Sequence, residues 1–327
     1  MRENRIMESP LLSIVIANYN YGRFLEAAIK SVVSQNMENQ VELIICDAAS
    51  SDNSVEIIKK YANGLPPNTS YGKWVSQDNS QLTTHNSQLI TWWCSERDGG
   101  QSAAFNKGFF HARGRFLTWL NADDIMLPGT LQRLKLSIES RPECEWFIGG
   151  VVWLDPSLHV FKCGRARKMS RYRASHGLVN VCGPSSFFSK SLFERAGGCD
   201  ERFQYTMDSD LWLRFAIGQN VSFRPFVKYA WGLRLHSDAK MSGHKITPEG
   251  KILEGKDSRD AFERNVYRQN QLSKERIWTC EKLGFSGKQM SRIMQRLTAD
   301  YIPAILSRVD TWRYKGRQIL DVNVNGN

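Results

Sequence analysis

The sequence has no apolar run long enough to cross a membrane. Its longest such run, WFIGGVVWL at residues 146–154, has the length of a single strand. The N-terminus has two early arginines and the apolar stretch LLSIVIA, but this stretch is short and no small-residue cleavage site follows it. We therefore interpret LLSIVIA as a first core strand and not as part of a signal peptide.

The sequence also has no C-x-x-C pair. Its seven cysteines are an odd number, at positions 46, 94, 144, 163, 182, 199 and 280. This usage is typical of a reducing compartment, and it argues against a disulfide framework or a structural zinc site. Together with the missing membrane span, it predicts a cytoplasmic protein.

Acidic residues are in deficit, 33 against 44 basic ones, which gives a net charge of +11. Residues 162–173 hold six basic residues and no acidic one, and residues 256–327 hold 14 basic and eight acidic ones. Such clusters suit anionic lipid headgroups, phosphates or nucleic acid, and a solvated surface equally well. No recognisable nucleic-acid motif accompanies them, so we predict no nucleic-acid partner. Peripheral contact with the anionic inner face of a membrane stays open.

Two glycine motifs that bind phosphates are missing. The dinucleotide fingerprint G-x-G-x-x-G does not follow the first predicted strand, and the loop G-x-x-x-x-G-K-[ST] does not occur. A bound phosphate would therefore need another source of positive charge. A hard divalent cation, Mn²⁺ or Mg²⁺, fits this role because it binds one or two carboxylates and completes its shell with phosphate oxygens and water.

The first 155 residues alternate between strand-like and helix-like segments. The predicted strands cover residues 12–17, 41–46, 89–94, 115–120 and 146–154, and the predicted helices cover 24–33, 54–61, 101–111 and 130–140. Such alternation produces right-handed βαβ units and a largely parallel sheet, so the predicted fold class is α/β. The polar stretch 63–88 breaks the rhythm, and we interpret it as a surface insertion.

The pattern becomes helical after about residue 245. Met290, Ile293, Met294 and Leu297 share one helical face, and Ile305, Val309 and Trp312 continue at similar spacing among basic residues. A basic amphipathic helix of this kind fits a membrane surface, and it fits equally well a helix packed on the domain. The sequence leaves both alternatives open.

Polar residues follow each of the first four predicted strands. They are Asn18-Tyr19-Asn20, Asp47 to Asp52, Ser95 to Gly100, and Asn121-Ala122-Asp123-Asp124. Open α/β sheets bind ligands at the carboxyl ends of their strands, so the four sets together predict a polar cleft. A metal ion there would relieve the repulsion between Asp123 and Asp124. We interpret Asp123 as the metal ligand and Asp124 as a cap for the following helix.

Five segments, in this order, resemble the inverting family 2 glycosyltransferases with the GT-A fold. They are SIVIANYNYGRFLEAAIKSVVSQ, VELIICDAASSDNSVEIIKKY, SERDGGQSAAFNKGFFHARGRFLTWLNADDIMLPGTL, GPSSFFSKSLFERAGGCDERFQYTMDSDLWLRFA and WGLRLHSDAKMS. The last resembles a motif of a branch related to polysaccharide synthesis. The resemblance spans about residues 11–242. It implies a GT-A domain over 1–245, with a nucleotide-binding half (1–125) and an acceptor half (126–245), before a helical extension over 246–327.

The resemblance implies roles for the residues at the strand ends. Ala17, Asn18 and Tyr19 would line the nucleobase and ribose, and Asp47 would accept a hydrogen bond from the base. Asn121 would lie near the ribose and diphosphate. It stands where the family usually has the first acid of a D-x-D motif, which leaves the predicted metal site one carboxylate short.

Further donor-side roles follow from the same resemblance. Asp123 would hold the metal, and His236 would be a further metal ligand or a donor to phosphate. Lys107 and Arg234 would be phosphate partners, and Asp98 a further donor-binding residue.

The resemblance assigns the general base to the stretch MDSDLWLRFA. We predict that Asp208 lies just before a helix and acts as the base. Asp210 would be structural, as a first-turn residue or as the partner of Arg214. A Glu often stands at the position of Met207 in the family, so spacing alone separates the two aspartates.

The sequence therefore predicts a metal-dependent transferase. It would move a sugar from a nucleotide diphosphate, with UDP favoured and GDP or dTDP as alternatives, to a polysaccharide or lipid-linked glycan. A nucleotidyltransferase is a second hypothesis, but such enzymes usually have a Gly-rich, Lys/Arg-containing loop after strand one, and ANYNYGRF is not such a loop. A catalytically silent scaffold of the same fold is a third, and the presence of both Asp123 and Asp208 argues against it.

Overall fold

The structure is a computed structural model. It describes residues 9–37, 40–69, 89–169, 183–203, 206–236 and 301–325, with single residues or short pieces at 174, 181, 239, 245–246, 252–253, 274 and 282. Several predicted features lie outside the described residues: most of the surface insertion, the basic residues Arg171 and Arg173, and the helical face of Met290, Ile293, Met294 and Leu297.

The N-terminal half is built around four parallel strands in the order β3-β2-β1-β4. These are β1 (Leu12–Asn18), β2 (Val41–Asp47), β3 (Ile90–Ser95) and β4 (Phe116–Asn121). The helices between them are α1 (Gly22–Val33), α2 (Ser54–Tyr61) and α3 (Gln101–His111). β1 and β2 are buried along almost their whole length, as expected for parallel strands covered on both faces. The predicted strand–helix alternation is confirmed.

The C-terminal half extends the same sheet with mixed strand directions. Its strands are β5 (Ile125–Met126), β6 (Trp146–Leu154), β7 (Val160–Gly164), β8 (Ser186–Ser189) and β9 (Arg224–Arg234). The order continues β4-β8-β6-β9-β5, with β7 paired to β6. β6 and β9 are parallel, whereas β8 is antiparallel to both β4 and β6. The sequence did not predict β8, which separates β4 from β6.

The remaining elements are short helices and one hairpin. The helices are α4 (Thr130–Ser140), α5 (Lys190–Arg195), α6 (Met207–Leu213), which continues into a π-helical turn at Arg214–Gly218, and α7 (Tyr301–Tyr314). Two 3-10 turns lie at Gly183–Ser185 and Ile319–Asp321, and the hairpin pairs β10 (Lys245–Ile246) with β11 (Ile252–Leu253).

Aromatic residues fill the core on the side of the sheet that α3 and α6 cover. Trp212 of α6 stacks on Trp119 of β4 and on Trp146 of β6, each with a ring-centroid distance of 5.3 Å. Such pairs add to the free energy of burial and fix α6 against the sheet. Trp92, Trp93 and Trp231 are also buried.

Helix α7 packs on β7 through polar side chains. Ser307 Oγ accepts a hydrogen bond from Arg165 N, and Thr311 Oγ1 accepts one from Cys163 N, both at 2.9 Å. The helix thereby pairs one backbone donor of β7 and one of Arg165, the residue that follows the strand. The apolar residues of the predicted pattern are exposed instead: Ile305 by 59%, Val309 by 52% and Trp312 by 86%. The helix therefore packs on the domain, as one of the two sequence alternatives has it, but it does so with its polar side and not with the predicted apolar residues.

Cys46, Cys94, Cys144, Cys163 and Cys199, the cysteines that the structure describes, are all free. None of the described helices is long and apolar enough to cross a membrane.

Candidate active site

The carboxyl ends of the parallel strands lie side by side. In the strand register Asn18 is opposite Asp47, Ala17 is opposite Asn121, and Asp47 is opposite Ser95. The polar residues that follow these strands in the sequence therefore meet at one edge of the sheet, as predicted.

The first group at this edge is the Asp47 corner, which consists of Asn18, Asp47, Ser50 and Ser95. The Asp47 carboxylate is buried and accepts four hydrogen bonds: from Asn18 Nδ2 at 2.6 Å, Ser50 N at 3.0 Å, Ser50 Oγ at 2.5 Å and Ser95 Oγ at 2.6 Å. A carboxylate has about four lone-pair positions, so these donors fill them. A nucleobase N–H would have to displace one of them to make the contact with Asp47 that the resemblance implies.

The side-chain oxygen of Asn18, in the same corner, is an acceptor that no described residue pairs with. Its Nδ2 reaches Asp47 and also Ser50 Oγ at 3.2 Å, but its buried Oδ1 has no hydrogen-bond partner among the described residues. Buried polar atoms are nearly always paired, so the Asp47 corner lacks one donor. Beside it, Ala17 is half-buried and Tyr19 is 62% exposed.

The second group is the Asp123 corner, which consists of Asn121, Asp123, Asp124, Arg234 and His236. His236 Nε2 lies 3.0 Å from Asp123 Oδ2. The imidazole is buried, and its ring centroid lies 4.6 Å from that of Phe24. Its Nδ1 has no hydrogen-bond partner in the described part of the chain. The structure thus brings the two predicted metal ligands together.

Asp124 is not a helix cap, contrary to the sequence interpretation, because α4 begins only at Thr130. Its Oδ2 accepts a hydrogen bond from Asn121 Nδ2 at 2.8 Å, and its Oδ1 accepts one from Arg234 N at 2.9 Å. Burial, and then the neighbouring charge of Asp123, raise the pKa of Asp124 well above its usual range. Asp124 therefore joins the ends of β4 and β9.

The Arg234 side chain is buried in this corner. Its guanidinium carbon lies 4.8 Å from the ring centroid of Phe24. Burial lowers the pKa of Arg234, and Asp124 and Asp123 oppose this effect. Its Nε and Nη2 have no hydrogen-bond partner among the described residues. Buried unpaired donors are costly, so the Asp123 corner lacks acceptors.

Sequence reasoning missed one residue of the cleft, Gln101. Its Nε2 donates a hydrogen bond of 2.9 Å to Asn121 Oδ1, while Asn121 Nδ2 donates to Asp124. The amide at position 121 is therefore held from both sides. Its position in the sequence could have indicated this role, because Gln101 is the first residue of α3 and directly follows Gly99 and Gly100 in the polar stretch after β3.

The two aspartates of α6 have different environments. The helix begins at Met207, so Asp208 lies within its first turn and not before the helix as predicted. Burial raises the pKa of Asp208 to about 6. Asp210 accepts hydrogen bonds from Arg214 Nε at 2.8 Å and Nη2 at 2.6 Å, which confirms the predicted pairing.

The start of α6 contacts the start of α3. Ser102 Oγ donates to Met207 Sδ at 3.1 Å, and the residue before Ser102 is the Gln101 that holds Asn121. Asp208 directly follows Met207, so it belongs to the segment that adjoins the cleft at the α3 end.

Lys107 and Asp98 make contacts of their own. Lys107 Nζ donates to Glu96 Oε1 at 2.9 Å, so the structure places this cation in an ion pair at the β3 side instead of in the Asp123 corner. Asp98 Oδ1 accepts a hydrogen bond from Gly100 N at 2.8 Å, just before α3.

The sequence profile of glycosyl transferase family 2 matches residues 13–196, which is more than half of the chain. The chain belongs to glycosyl transferase family 2. Among solved structures, residues 1–349 of Staphylococcus aureus TarS in complex with UDP-GlcNAc are similar, with a TM-score of 0.54 and 14% identity over 92% of this chain and 78% of that one. At this identity the likeness concerns the fold, and it confirms the predicted GT-A fold.

Curated relatives match part of the length of this family 2 chain. An uncharacterized glycosyltransferase of Rickettsia prowazekii is 24% identical over 233 residues, which cover 68% of this chain and 63% of the relative. One from a Nostoc species is 34% identical over 123 residues, covering 38% and 31%. The chain thus spans less than two thirds of the length of these relatives.

The Asp123 corner of this family 2 chain suits a divalent cation that is shared with a ligand. Carboxylate oxygen and imidazole nitrogen, from Asp123 and His236, are donors that Mn²⁺ accepts. Among the described residues, no three or more His, Cys, Asp or Glu side chains are arranged so that they alone could hold a metal ion. Mg²⁺ and Mn²⁺ do not need such a cage, since they take their remaining ligands from phosphate and water. The residues present therefore fit a divalent metal ion whose coordination shell is completed by a diphosphate.

Proposed function

We propose that this family 2 chain is a metal-dependent, inverting glycosyltransferase. It moves a sugar from a nucleotide diphosphate to a hydroxyl of a polysaccharide or lipid-linked glycan. One observation carries the proposal: among the described residues, Asn18 Oδ1 lacks a donor, whereas Arg234 Nε and Nη2 lack acceptors. The two corners are neighbours at one sheet edge. A nucleoside diphosphate supplies both missing partners, an N–H on its base and oxygens on its diphosphate.

The donor side of the cleft takes the nucleotide. Ala17 and Tyr19 contact the base and ribose beside Asn18, and Asp47 orients Asn18 in place of the direct contact with the base that the resemblance implies. Asn121 lies between ribose and diphosphate, with Asp98 near the start of α3 as a further donor-side residue. UDP-GlcNAc is bound to the similar TarS structure, so a UDP-sugar is the first donor to test, before GDP- and dTDP-sugars.

The leaving diphosphate needs charge stabilisation. Arg234 donates to its oxygens, and Asp123 and His236 would hold the metal. A Mn²⁺ or Mg²⁺ ion at these residues would supply Lewis-acid stabilisation of the charge that develops on the leaving group.

Asp208 acts as the general base. Its carboxylate takes the proton of the acceptor hydroxyl while that oxygen forms a bond to C1 of the sugar. The bond from C1 to the diphosphate oxygen breaks, its electron pair stays on the diphosphate, and the anomeric configuration inverts. A pKa of about 6 keeps Asp208 ionised at neutral pH while leaving it more basic than an ordinary carboxylate.

Thermal unfolding with a panel of UDP-, GDP- and dTDP-sugars tests the proposal. A ligand present at roughly a hundred times its Kd stabilises the folded state by about 2.7 kcal/mol, which corresponds to a rise in Tm of a few degrees. We expect this rise with at least one nucleotide sugar in the presence of Mn²⁺, and a smaller rise when EDTA replaces the metal. Slow hydrolysis of the same donor, followed by released nucleoside diphosphate, gives a second readout.

Asp123→Ala should remove the metal-dependent part of the rise. Asp155→Ala is the matched control, because Asp155 also pairs with a histidine ring, His159 Nδ1 at 3.1 Å, but in the turn between β6 and β7. If no nucleotide sugar shifts Tm with metal present, the proposal is wrong. If the two variants lose the same increment, the metal assignment is wrong.

A further inference from the structure

Helix α7 packs on the sheet with its polar side and exposes its apolar side, which is the reverse of an ordinary surface helix. Its polar residues Ser307 and Thr311 face β7, while Ile305, Val309 and Trp312 face outward. Leu306 is also exposed, by 37%. Surface helices normally bury the apolar stripe and expose the polar one. The outward stripe of Ile305, Leu306, Val309 and Trp312 is named the α7 face below.

The exposed charges of residues 301–317 are of one sign. Residues 301–317 contain four cations, Arg308, Arg313, Lys315 and Arg317, and all four are exposed. The single acid in this stretch is Asp310, which is buried and accepts a hydrogen bond from Arg165 Nε at 2.7 Å. The helix therefore presents apolar and cationic groups to the outside without an exposed carboxylate among them.

The C-terminal end of α7 lies beside the sheet edge that carries the cleft. The hydrogen bonds of Ser307 to Arg165 and of Thr311 to Cys163 show that α7 runs antiparallel to β7. Gly316 N donates to Val160 O, so the Trp312 end adjoins the start of β7. Val160 pairs with Leu154, and Leu154 pairs with Arg234.

We infer that the α7 face docks on the surface of an anionic lipid bilayer, with Trp312 and its apolar neighbours in the headgroup region and the four cations against lipid phosphates. An exposed apolar stripe with flanking Lys and Arg and an interfacial Trp is the combination that lies in the plane of such a surface. The inference concerns binding alone and does not rest on the proposed transfer reaction.

Vesicle co-sedimentation of the full chain tests this inference without any donor or acceptor. One set of vesicles is phosphatidylcholine alone, and the other contains equal parts of phosphatidylcholine and phosphatidylglycerol. We expect binding to the second set and much weaker binding to the first. Trp312→Ser should weaken binding at least about tenfold, because a buried Trp contributes most of the apolar area. Arg308→Gln should weaken it about fivefold, the effect of one interfacial cation.

Matched controls lie on other helices. Phe110 of α3 is 82% exposed, so Phe110→Ser removes an equally exposed aromatic ring, and Lys59→Gln removes an exposed cation of α2. Both should bind vesicles like the unaltered chain. Equal losses for Trp312→Ser and Phe110→Ser would overturn the inference, as would the absence of binding to anionic vesicles.

Light scattering tests whether a second copy of the chain, and not a lipid surface, covers the α7 face. If the unaltered chain is a dimer and Trp312→Ser is a monomer, a second copy covers the α7 face and the lipid inference is wrong. If Trp312→Ser loses vesicle binding while its mass in solution and its Tm stay unchanged, the lipid surface is the occupant. Tm reports folding independently, and we expect no change because Trp312 is exposed.

Discussion

The Asp47 corner and the Asp123 corner lie at the same sheet edge but differ in what they lack. In the Asp47 corner a buried carboxylate already has four donors, and the atom without a partner in the described chain is an acceptor, Asn18 Oδ1. In the Asp123 corner the atoms without partners include donors, Arg234 Nε and Nη2. The protein alone pairs nearly all the hydrogen-bonding groups of the Asp47 corner, but it leaves several of those in the Asp123 corner without a partner among the described residues.

This difference separates stability from binding. Removing a group that is fully hydrogen-bonded within the protein leaves its donors unpaired and destabilises the folded state. Removing a buried side chain whose hydrogen-bond donors are unpaired relieves a desolvation cost, and the loss is felt mainly when the ligand binds. Substitutions in the two corners should therefore have effects on different measurements.

The largest expected effect concerns Asp208, which belongs to neither corner. Asp208→Asn should lower the transfer rate by about 10²–10⁴-fold, the usual contribution of a general base, while Tm shifts with donor and metal stay unchanged. In the unaltered chain, kcat/KM should fall as the pH drops through about 6, because the carboxylate must be ionised to act. A transfer assay across pH 5–8 and donor thermal shifts measure the two parts.

The sign of the accompanying stability change follows from the raised pKa. The folded chain binds the Asp208 proton more tightly than the unfolded chain, whose pKa is near 3.8, so ionisation destabilises the fold. Asp208→Asn should thus be more stable at pH 7.5 by up to about 3 kcal/mol, with the gain vanishing near pH 4. Asp210→Asn is the contrasting control, because it breaks a buried ion pair and should lower stability by about 3 kcal/mol. Transfer that survives in Asp208→Asn would refute the base assignment.

The next effect tests the Asp123 corner. Arg234→Met should weaken binding of UDP and of GDP alike, by about 10–100-fold, because charge-assisted hydrogen bonds to the diphosphate are lost. The free energy of unfolding without ligand should stay the same or rise. Arg23→Met is the matched control, since Arg23 also stacks on Phe24, at 4.6 Å, but is exposed. Isothermal titration and chemical denaturation measure both quantities. If Arg234→Met lowers the stability of the fold and leaves the binding of UDP and GDP unchanged, Arg234 has a structural role and does not bind the diphosphate.

The smallest effect on binding is expected at Asp47. Asp47→Asn should lower the free energy of unfolding by about 2–4 kcal/mol, because an amide oxygen cannot accept all four donors. Once folded, the variant should bind a nucleoside diphosphate within a few-fold of the unaltered chain. Urea denaturation and titration with UDP give the comparison. A variant of normal stability that fails to bind UDP would show that Asp47 contacts the base directly, as the sequence resemblance implies.

The strand ends were predictable from sequence because their polar residues interrupt long apolar runs. Asn18, Asp47, Asn121 and Asp123 could be proposed as neighbours on that pattern alone, and their meeting at one edge follows from parallel strands. Their hydrogen bonds could not be predicted. Asp124 resembles a helix cap in sequence, yet it bonds to Arg234 N more than 100 residues away. Only the pairing of β5 with β9 brings these two together.

The C-terminal half was less predictable for a similar reason. The run SSFFS has neither a strand period nor a helical one, so nothing marked β8 as the strand between β4 and β6. The spacing of Ile305, Val309 and Trp312 predicted a helix correctly but not the direction of its apolar side. That direction depends on Cys163 N and Arg165 N, which need oxygen acceptors from α7.

The buried carboxylate of Asp310 has a mechanical consequence. It accepts hydrogen bonds from Tyr229 Oη of β9 and from Arg165 next to β7, and Asn325 bonds to both backbone groups of Tyr229. β9 also carries Arg234. The helix and the cleft are thereby joined through one strand, so the orientation of α7 on a surface is coupled to the orientation of the cleft. Docking of α7 on a bilayer would therefore constrain the direction in which the cleft opens relative to that bilayer.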